Sequence, residues 1–376
     1  MRIGIDAYPL TRERLTGLGT YLLNLIKHLE AIDVENEYFL YGCRDFQLPF
    51  KNNRWHVRLV KGPRLVRKIS TFWLLFGASS MLQRDKIDVF LGTQNLIPIF
   101  LPASIKKILV INDLSVLVCP QTMPFIQYIA HRCIFKRSLF SADRIIAISH
   151  STKDDIIKYF PHLKEEKITA VYDACSPEVF LPHKKEEINS YIKKRFSSLD
   201  KYILAVSSLE WRKNTLGLLR SYYLCWMNFN IKHKLLIAGC EKRAKTTAIE
   251  RLVKELSLED SVHFLGYVDL EELIYLYNGA DVFVFPSFYE GFGLPPLEAM
   301  SCGTPVIASD IRVLREVLGD AALLVDPYNH EEMARGIDRV LTDQVLAENL
   351  RKKGLDRVKL FSWDKTAKVT RQILTN

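Results

Sequence analysis

A chain of 376 residues is long enough for two domains that each bury their own hydrophobic core. Its content of 48% hydrophobic and 25% charged residues is ordinary for a soluble globular protein. The formal net charge of +9 lies entirely in residues 1–185, which hold 26 Lys and Arg against 17 Asp and Glu, and since no nucleic-acid-binding motif accompanies this excess we expect no nucleic-acid partner.

Cysteine usage and the first residues predict a cytoplasmic protein. The seven cysteines form no C-x-x-C pair, which favours a reducing compartment. Asp6 stands where a signal peptide would need its apolar core. The longest charge-free, aromatic-rich run covers residues 69–83 and is too short to span a bilayer as a helix.

In the first half of the chain, short apolar runs alternate with helical patterns, which is typical of repeated β-α units and a parallel sheet. An amphipathic helix is predicted at 20–30, and Ser151 with Asp154 resembles a capping box for a helix at 152–159. The predicted strands are 3–7, 38–41, 57–60, 89–91, 108–111, 145–148 and 169–172.

Around residues 177–187 this pattern gives way to proline, histidine and charge, which indicates a hinge. We therefore predict domains at 1–185 and 186–361, followed by a helix at 362–376. The fold class is α/β, with two Rossmann-like, doubly wound parallel sheets. The strands predicted after the hinge are 202–206, 235–238, 262–265, 282–285, 306–308 and 323–325.

The stretch 287–305 joins the end of a strand to a glycine-rich turn and a helix start. Pro295 and Pro296 suit the first turn of a helix that Gly303 can terminate. Gly291 and Gly293 allow unusual backbone angles and a close approach to a ligand. Because first-turn N–H groups and the helix dipole favour an anion, this loop predicts a phosphate site.

Glu290 and Glu298 stand eight residues apart on either side of that turn. Each carboxylate can accept hydrogen bonds from hydroxyls that flank the phosphate. A nucleotide sugar has this arrangement, with hydroxyls on both sides of a diphosphate. The alternative, a solvated Glu290 and a Glu298 that caps its helix, would suit an isolated pair.

At these residues the chain resembles glycosyltransferase family 4, retaining enzymes with two Rossmann-like domains facing a central cleft (GT-B). The likeness extends over nearly the whole chain, including 210–214, 262–268, 315–317 and 324–327. It implies that the helix at 362–376 packs back onto the N-terminal domain. It also implies that Glu290 approaches donor-sugar hydroxyls and Glu298 the nucleotide ribose.

The same resemblance implies a backbone contribution to nucleotide-sugar binding. The main chain of Gly291, Phe292, Gly293 and Leu294 would hold the phosphates or the sugar, and that of Val268 would meet the base.

Arg212 and Lys213 follow a predicted strand, which places two cations at the carboxyl edge of the second sheet. A departing diphosphate gathers negative charge, so fixed cations there stabilise the transition state. The resemblance makes this pair a diphosphate clamp that needs no metal or other cofactor, and no D-x-D-like motif lies nearby. The alternative is two exposed surface bases.

Two candidates lie in the first domain. Gly17 lies at the start of the first predicted helix, where the sequence lacks the glycine pattern of a nicotinamide-binding site. By resemblance, Gly17 contacts phosphate. Asn112 follows the predicted strand 108–111 and stands where many relatives carry a catalytic histidine. Since an amide does not titrate near neutrality, Asn112 either orients a donor-sugar hydroxyl or, equally, caps an Asx turn.

The segment 51–86 holds nine of the Lys and Arg residues, interleaved with aromatic side chains such as Trp55 and Trp73. Cations that attract anionic headgroups and aromatics that enter the interface favour peripheral contact with the inner face of the membrane. The alternative is that the aromatics pack in the core beneath a solvated basic rim.

These observations predict a retaining glycosyltransferase that moves a hexose from a nucleotide diphosphate sugar to a saccharide. Similarity to surface-polysaccharide enzymes favours GDP-mannose as donor and a lipid-linked acceptor of O-antigen or capsule synthesis. Two alternatives stay open: a noncatalytic sugar-nucleotide-binding protein, suggested by Asn112, and a GT-B epimerase acting on a UDP-sugar, which would need acid-base side chains that the sequence does not identify.

Overall fold

The computed structural model describes residues 1–12, 14–59, 78–119, 125–196, 199–239 and 247–376, which form two compact units. The first unit comprises Met1–Asp173 and Ser362–Asn376, and the second comprises Ala174–Phe361. The chain thus enters the second unit earlier than the predicted boundary after residue 185. The reason is local: the carbonyl of Phe180 accepts from the Ser301 hydroxyl at 2.5 Å, and His183 N donates to Asn278 Oδ1 at 2.8 Å.

The described strands of the first unit form one parallel sheet in the order β3-β2-β1-β4-β5-β6-β7. The order reverses direction between β1 and β4, which makes their carboxyl ends the switch point of the sheet. The strands are β1 (Arg2–Asp6), β2 (Glu37–Gly42), β3 (Trp55–Leu59), β4 (Val89–Gly92), β5 (Lys106–Ile111), β6 (Arg144–Ala147) and β7 (Ile168–Ala170).

The second unit contains a parallel sheet in the order β10-β9-β8-β11-β12-β13, with its switch point between β8 and β11. Each strand predicted from the sequence overlaps one strand of the two sheets, and the doubly wound α/β fold class is confirmed. The strands are β8 (Tyr202–Val206), β9 (Lys234–Ala238), β10 (Val262–Gly266), β11 (Val282–Phe285), β12 (Val306–Ser309) and β13 (Leu323–Val325).

Helices connect the strands in both units. In chain order the described α-helices are α1 (Gly17–Ile32), α2 (Ala78–Arg84), α3 (Ser115–Val118), α4 (Phe125–Ser141), α5 (His150–Tyr159), α6 (Lys185–Arg195), α7 (Thr215–Phe229), α8 (Thr247–Glu255), α9 (Leu270–Gly279), α10 (Leu294–Ser301), α11 (Arg312–Leu318), α12 (His330–Thr342), α13 (Gln344–Val358) and α14 (Trp363–Thr375). Within the described ranges, no helix is both long and apolar enough to cross a bilayer.

The predicted capping box at Ser151 is wrong. Helix α5 begins at His150, and its N-cap is Ser149, whose hydroxyl accepts from Thr152 N at 2.9 Å. The helix begins earlier because β6 already ends at Ala147, which leaves only a short turn before the cap.

Helix α14 packs against α1 within the first unit. The rings of Trp363 and Tyr21 lie 5.8 Å apart, and Arg371 Nε lies 3.2 Å from the buried carboxylate of Asp33. Helix α14 therefore belongs to the first unit, although it follows the second unit in the chain.

The basic segment is only partly described, because residues 60–77 lie outside the described residues. Trp55 is 6% exposed and stacks on Tyr38 with ring centroids 4.1 Å apart. Arg58 Nε lies 3.2 Å from Asp85 Oδ2. In the described part of this segment, Trp55 therefore packs in the core and Arg58 is paired with Asp85. The burial of Trp55 is what the alternative without membrane contact expects.

Candidate active site

An ionic cluster of Arg212, Lys213 and Glu290 lies at the switch point of the second sheet. Lys213 Nζ lies 2.6 Å from Glu290 Oε1, and Arg212 Nη1 lies 3.1 Å from Glu290 Oε2. The Glu290 side chain is 9% exposed. Each carboxylate oxygen thus receives one cation, and the three residues chosen from the sequence are brought together, which excludes the alternative of two exposed surface bases.

Electrostatics keep Glu290 ionised. Burial by itself raises the pKa of its carboxyl, but Lys213 and Arg212 outweigh burial, so the net pKa lies below the usual value of a glutamate. Lys213 Nζ also lies 5.0 Å from the ring centroid of Phe285, a cation–π distance. The cluster therefore carries two fixed positive charges and one negative charge at neutral pH.

Asn214 holds the loops that carry this cluster. Its side-chain Nδ2 donates to the carbonyls of Pro286 at 3.1 Å and Pro327 at 2.8 Å, while its Oδ1 accepts from Gly217 N at 3.2 Å. Asn214 is buried and adopts a left-handed φ of 55°, a conformation that asparagine tolerates better than most residues. The sequence motif contains Asn214, but sequence reasoning gave it no role, since side-chain contacts to distant carbonyls leave no local pattern.

Glu298 lies in α10 and is paired with a residue that the sequence did not single out. The Tyr277 hydroxyl donates to Glu298 Oε2 at 2.9 Å. Burial raises the pKa of the Glu298 carboxyl to about 7, and the Tyr277 bond opposes this only in part. In the sequence Tyr277 belongs to the apolar face of a helix, so no local signal distinguishes it from core.

The loop before α10 has the backbone geometry predicted for an anion site. Gly293 is the N-cap residue at φ 100°, and a Cβ there would meet Leu314 Cδ2 at 2.8 Å. Leu294 begins the helix, and no side chain caps its N-terminus. Gly291 and Phe292 are buried in the same loop. The first-turn N–H groups of α10 are therefore positioned without a side-chain acceptor from the N-cap.

Val268 follows β10 and is 8% exposed. The preceding Gly266 has φ 78°, which turns the chain away from the strand. Val268 thus lies at the carboxyl edge of the second sheet, two strands from β8 in the sheet order.

In the first unit, Gly17 begins α1 and is exposed, and the N-cap Thr16 makes no side-chain cap hydrogen bond. A Cβ at Gly17 would meet nothing within 4 Å, so its surroundings do not themselves require glycine. Gly19 is the constrained position in this turn, since a Cβ there would lie 2.8 Å from Leu15 Cδ2.

Asn112 follows β5 and joins a network of amides. Its Nδ2 donates to the Thr93 carbonyl at 2.9 Å, and its backbone N donates to Asn95 Oδ1 at 2.8 Å. The Asx turn that follows is made by Asp113, whose Oδ1 accepts from Ser115 N at 2.9 Å. The capping alternative for Asn112 is therefore wrong, because the neighbouring residue already performs it.

Asp6 lies at the switch point of the first sheet and was missed as a site residue. It is fully buried, and its Oδ2 accepts from Gln94 Nε2 at 2.7 Å while its carbonyl accepts from the Thr93 hydroxyl at 2.8 Å. Burial raises the pKa of its carboxyl to about 6. Asp6 thereby links β1 to the loop that also holds Asn112.

Within the described ranges, no group of three or more His, Cys, Asp or Glu side chains is arranged to hold a metal ion. The charged groups described at the second switch point are Arg212, Lys213 and Glu290, together with Glu210, whose Oε2 lies 2.8 Å from Arg212 Nε. What this arrangement can do chemically is bind an anion through Arg212 and Lys213 and accept a hydroxyl hydrogen bond through Glu290.

Comparison with known proteins identifies the family. Residues 15–178 match the family profile described as Glycosyltransferase Family 4, and residues 188–357 match that of Glycosyl transferases group 1. O-antigen chain mannosyltransferase B of Escherichia coli is 32% identical over 361 residues, 93% of either chain. O-antigen chain mannosyltransferase RfbU of Salmonella typhimurium is 30% identical over 240 residues, 64% of this chain and 62% of that one.

Among solved structures, that of Anabaena Alr3699/HepE in complex with UDP-glucose is similar with a TM-score of 0.78 at 15% identity, covering 100% of this chain and 99% of that chain. At this identity the likeness shows the fold. Together with the relative that matches over 93% of its length, these findings establish the family. The chain belongs to the family 4, group 1 glycosyltransferases and is an enzyme of that class with the GT-B fold.

Proposed function

We propose that this enzyme transfers mannose from GDP-mannose, with retention of configuration, to a lipid-linked saccharide in the synthesis of O-antigen or capsule. The observation that carries the proposal is the ionic cluster, in which Arg212 and Lys213 converge on Glu290 at the sheet's switch point. The choice of mannose and of a surface polysaccharide rests on two relatives that are named O-antigen chain mannosyltransferases.

The two cations would hold the diphosphate. Charge accumulates on its oxygens as the glycosidic bond breaks, so Lys213 and Arg212 stabilise the transition state more than the bound donor. Arg212 and Lys213 both donate hydrogen bonds to Glu290. Donor oxygens would then share these cations, which leaves the Glu290 oxygens able to accept from hydroxyls of the transferred sugar.

The resemblance assigns further contacts to the donor. The N-terminus of α10, from Gly291 to Leu294, would receive phosphate or sugar oxygens, and Glu298 would accept from ribose hydroxyls. The backbone at Val268 would meet the base, and Gly17 would offer a helix N-terminus to phosphate. The amide nitrogen of Asn112 is engaged by Thr93, so its oxygen is the atom that would accept from a sugar hydroxyl.

The chemical step would take place on one face of the sugar. The bond from the anomeric carbon to the diphosphate oxygen breaks, the acceptor oxygen forms its bond on the same face, and the acceptor proton passes to the departing diphosphate. No protein base is required for this transfer, which is consistent with an asparagine at position 112. Positive charge from Arg212 and Lys213 would make a divalent metal unnecessary.

Two further parts of the proposal concern location. A lipid-linked acceptor would place the enzyme at the inner face of the cytoplasmic membrane. The composition of segment 51–86 supports contact with anionic headgroups, although residues 60–77 lie outside the described residues. Sedimentation with vesicles containing anionic lipid, compared with neutral vesicles, tests this contact separately from catalysis.

Product analysis tests the reaction itself. The purified enzyme is incubated with GDP-, UDP- or dTDP-sugars and a mannose oligosaccharide on a lipid diphosphate, with and without EDTA. We expect a lengthened acceptor with GDP-mannose, an α-linkage by NMR, and equal rates with EDTA. An unchanged donor would support a binding protein, and an isomerised sugar would support an epimerase. Either result would overturn the proposal.

A further inference from the structure

Three aromatic rings beside the ionic cluster form an exposed stack, here called the aromatic ladder, made of Trp211, Phe288 and Tyr328. The ring centroids of Trp211 and Phe288 lie 4.8 Å apart at 31°, and those of Phe288 and Tyr328 lie 4.6 Å apart at 21°. Trp211 is 47% exposed and Tyr328 is 67% exposed. The ladder is thus a surface feature and not part of the hydrophobic core.

The ladder is held rigidly to the ionic cluster. Trp211 directly precedes Arg212, and Phe288 N donates to the Arg212 carbonyl at 2.8 Å. The amide of Asn214 ties the Pro286 and Pro327 carbonyls, the two residues that begin the segments carrying Phe288 and Tyr328. Three separate loops are therefore fixed so that their rings stack, although none of the rings belongs to a regular strand or α-helix.

Exposing these aromatic rings to water costs free energy, and a purely structural role does not explain that cost. Stacking covers both sides of Phe288 and one side each of Trp211 and Tyr328, but the large exposed aromatic surface that the two outer rings keep is more typical of a site that binds a ligand. Trp and Tyr supply rigid contact area at a low cost in conformational entropy, and the stack restricts them further before any ligand arrives. The outer faces of Trp211 and Tyr328 are therefore prepared to bind a flat apolar surface.

We propose that the aromatic ladder binds the saccharide acceptor. The inference rests on the proposed function, because the acceptor must bring a hydroxyl to the sugar held beside Lys213 and Glu290, and Trp211 directly precedes Arg212, whose side chain contacts Glu290. The C–H faces of pyranose rings carry slight positive charge and pack against the negative faces of aromatic rings. The hydroxyls of the sugar stay in water or meet the half-exposed carboxylate of Glu210.

The proposal assigns the ladder to acceptor specificity rather than to chemistry. A saccharide several units long would cover more of the ladder than a disaccharide, so loss of a ring should affect the longer acceptor more. Donor binding and the slow hydrolysis of the donor by water do not involve the ladder and should be unchanged.

The test compares Trp211→Ala and Tyr328→Ala with the wild-type enzyme, using mannobiose and mannotetraose as acceptors. We expect the KM for mannotetraose to rise about tenfold, the loss typical of truncating an aromatic anchor, with kcat and the KM of donor hydrolysis within twofold. Trp211→Phe should restore most of the affinity. Trp226→Ala is the matched control, since Trp226 is 43% exposed in α7 and lies about 18 Å along the helix axis from Asn214.

Unchanged acceptor KM in both ladder variants would overturn the inference, as would an equal rise in the KM of donor hydrolysis, which would assign the rings to the donor site. Loss of vesicle binding without a change in acceptor KM would assign the ladder to a membrane surface instead. Saturation-transfer NMR with mannotetraose reads the same contact without catalysis. Failure of the wild-type enzyme to transfer mannose, with ladder-dependent saccharide binding intact, would sink the proposed function alone.

Discussion

The carboxyl edges of the two sheets have the same topology but opposite chemistry. At the first switch point, between β1 and β4, the chain presents amides and hydroxyls around Asn112 and Thr93, with one buried carboxyl at Asp6. At the second, between β8 and β11, it presents the ionic cluster. Doubly wound sheets bind ligands at this edge. The contrast shows that the fold determines where a ligand can bind, whereas the loops determine which chemical groups are present there.

Under the proposed function, the two edges would have separate tasks. Cations are needed where a diphosphate leaves, whereas neutral amides suit the hydroxyls of a sugar. The mutations below, in order of decreasing expected effect, would break or sharpen that assignment.

Removing the charge from the second edge should have the largest effect. Lys213→Ala leaves Glu290 paired with Arg212, so folding should be kept, but it removes one contact to the leaving diphosphate. We expect kcat to fall by two or more orders of magnitude, about 3 kcal/mol of transition-state stabilisation. Steady-state transfer rates measure this, with Lys232→Ala as a surface-lysine control. Near-normal turnover would remove the ionic cluster from catalysis.

Loss of the loop anchor should come next. Asn214→Ala removes three hydrogen bonds to or from buried backbone and places alanine at φ 55°. We expect a loss of about 2 to 3 kcal/mol in the free energy of unfolding, measured in urea.

A matched control is Asn230→Ala, which changes an exposed residue at φ 52° that caps the end of α7. That variant should lose only the conformational part, about 1 kcal/mol. Equal losses in the two variants would mean that the bonds from Asn214 to the Pro286 and Pro327 carbonyls contribute nothing.

The pH dependence of donor binding tests the second carboxylate. The pKa of Glu298 is raised to about 7 by burial, so its ionised form, which in the proposed function would accept from the ribose, gains population as pH rises through 7. We expect the affinity for GDP-mannose to increase about tenfold from pH 6 to pH 8, measured by calorimetry, with proton release. Glu298→Gln should flatten the profile. An affinity that falls with rising pH would place the ribose elsewhere.

The smallest effect is expected at the first edge. Asn112→Ala removes a neutral hydrogen bond to a sugar hydroxyl and the bond to the Thr93 carbonyl, so turnover should fall only about fivefold, near 1 kcal/mol. The same transfer assay measures it. If Asn112→Ala proves as damaging as Lys213→Ala, the division between a neutral edge and a charged edge is wrong.

Particular elements show why sequence reasoning succeeded for the fold. The strands at β8, β11 and β13 were placed at their observed bounds because a buried parallel strand is a short apolar run, which is a local property of the sequence. The start of α10 could also be predicted, since Pro295 and Gly293 act through their own backbone preferences. The cap of α5 was misplaced because the Ser151-x-x-Asp154 pattern is local, whereas the end of β6 at Ala147 lets the helix begin at His150 with Ser149 as its cap.

The sequence by itself determined two doubly wound α/β units, because hydrophobic periodicity, glycine and proline act over a few residues, and the resemblance to a known family singled out the acids and bases. Only the tertiary structure decided that Lys213 meets Glu290 across 77 positions, that Asn214 bonds the Pro327 carbonyl across 113, and that Tyr277 reaches Glu298. These contacts depend on strand order, which brings distant loops to one sheet edge. No residue encodes such a partner in its own neighbourhood.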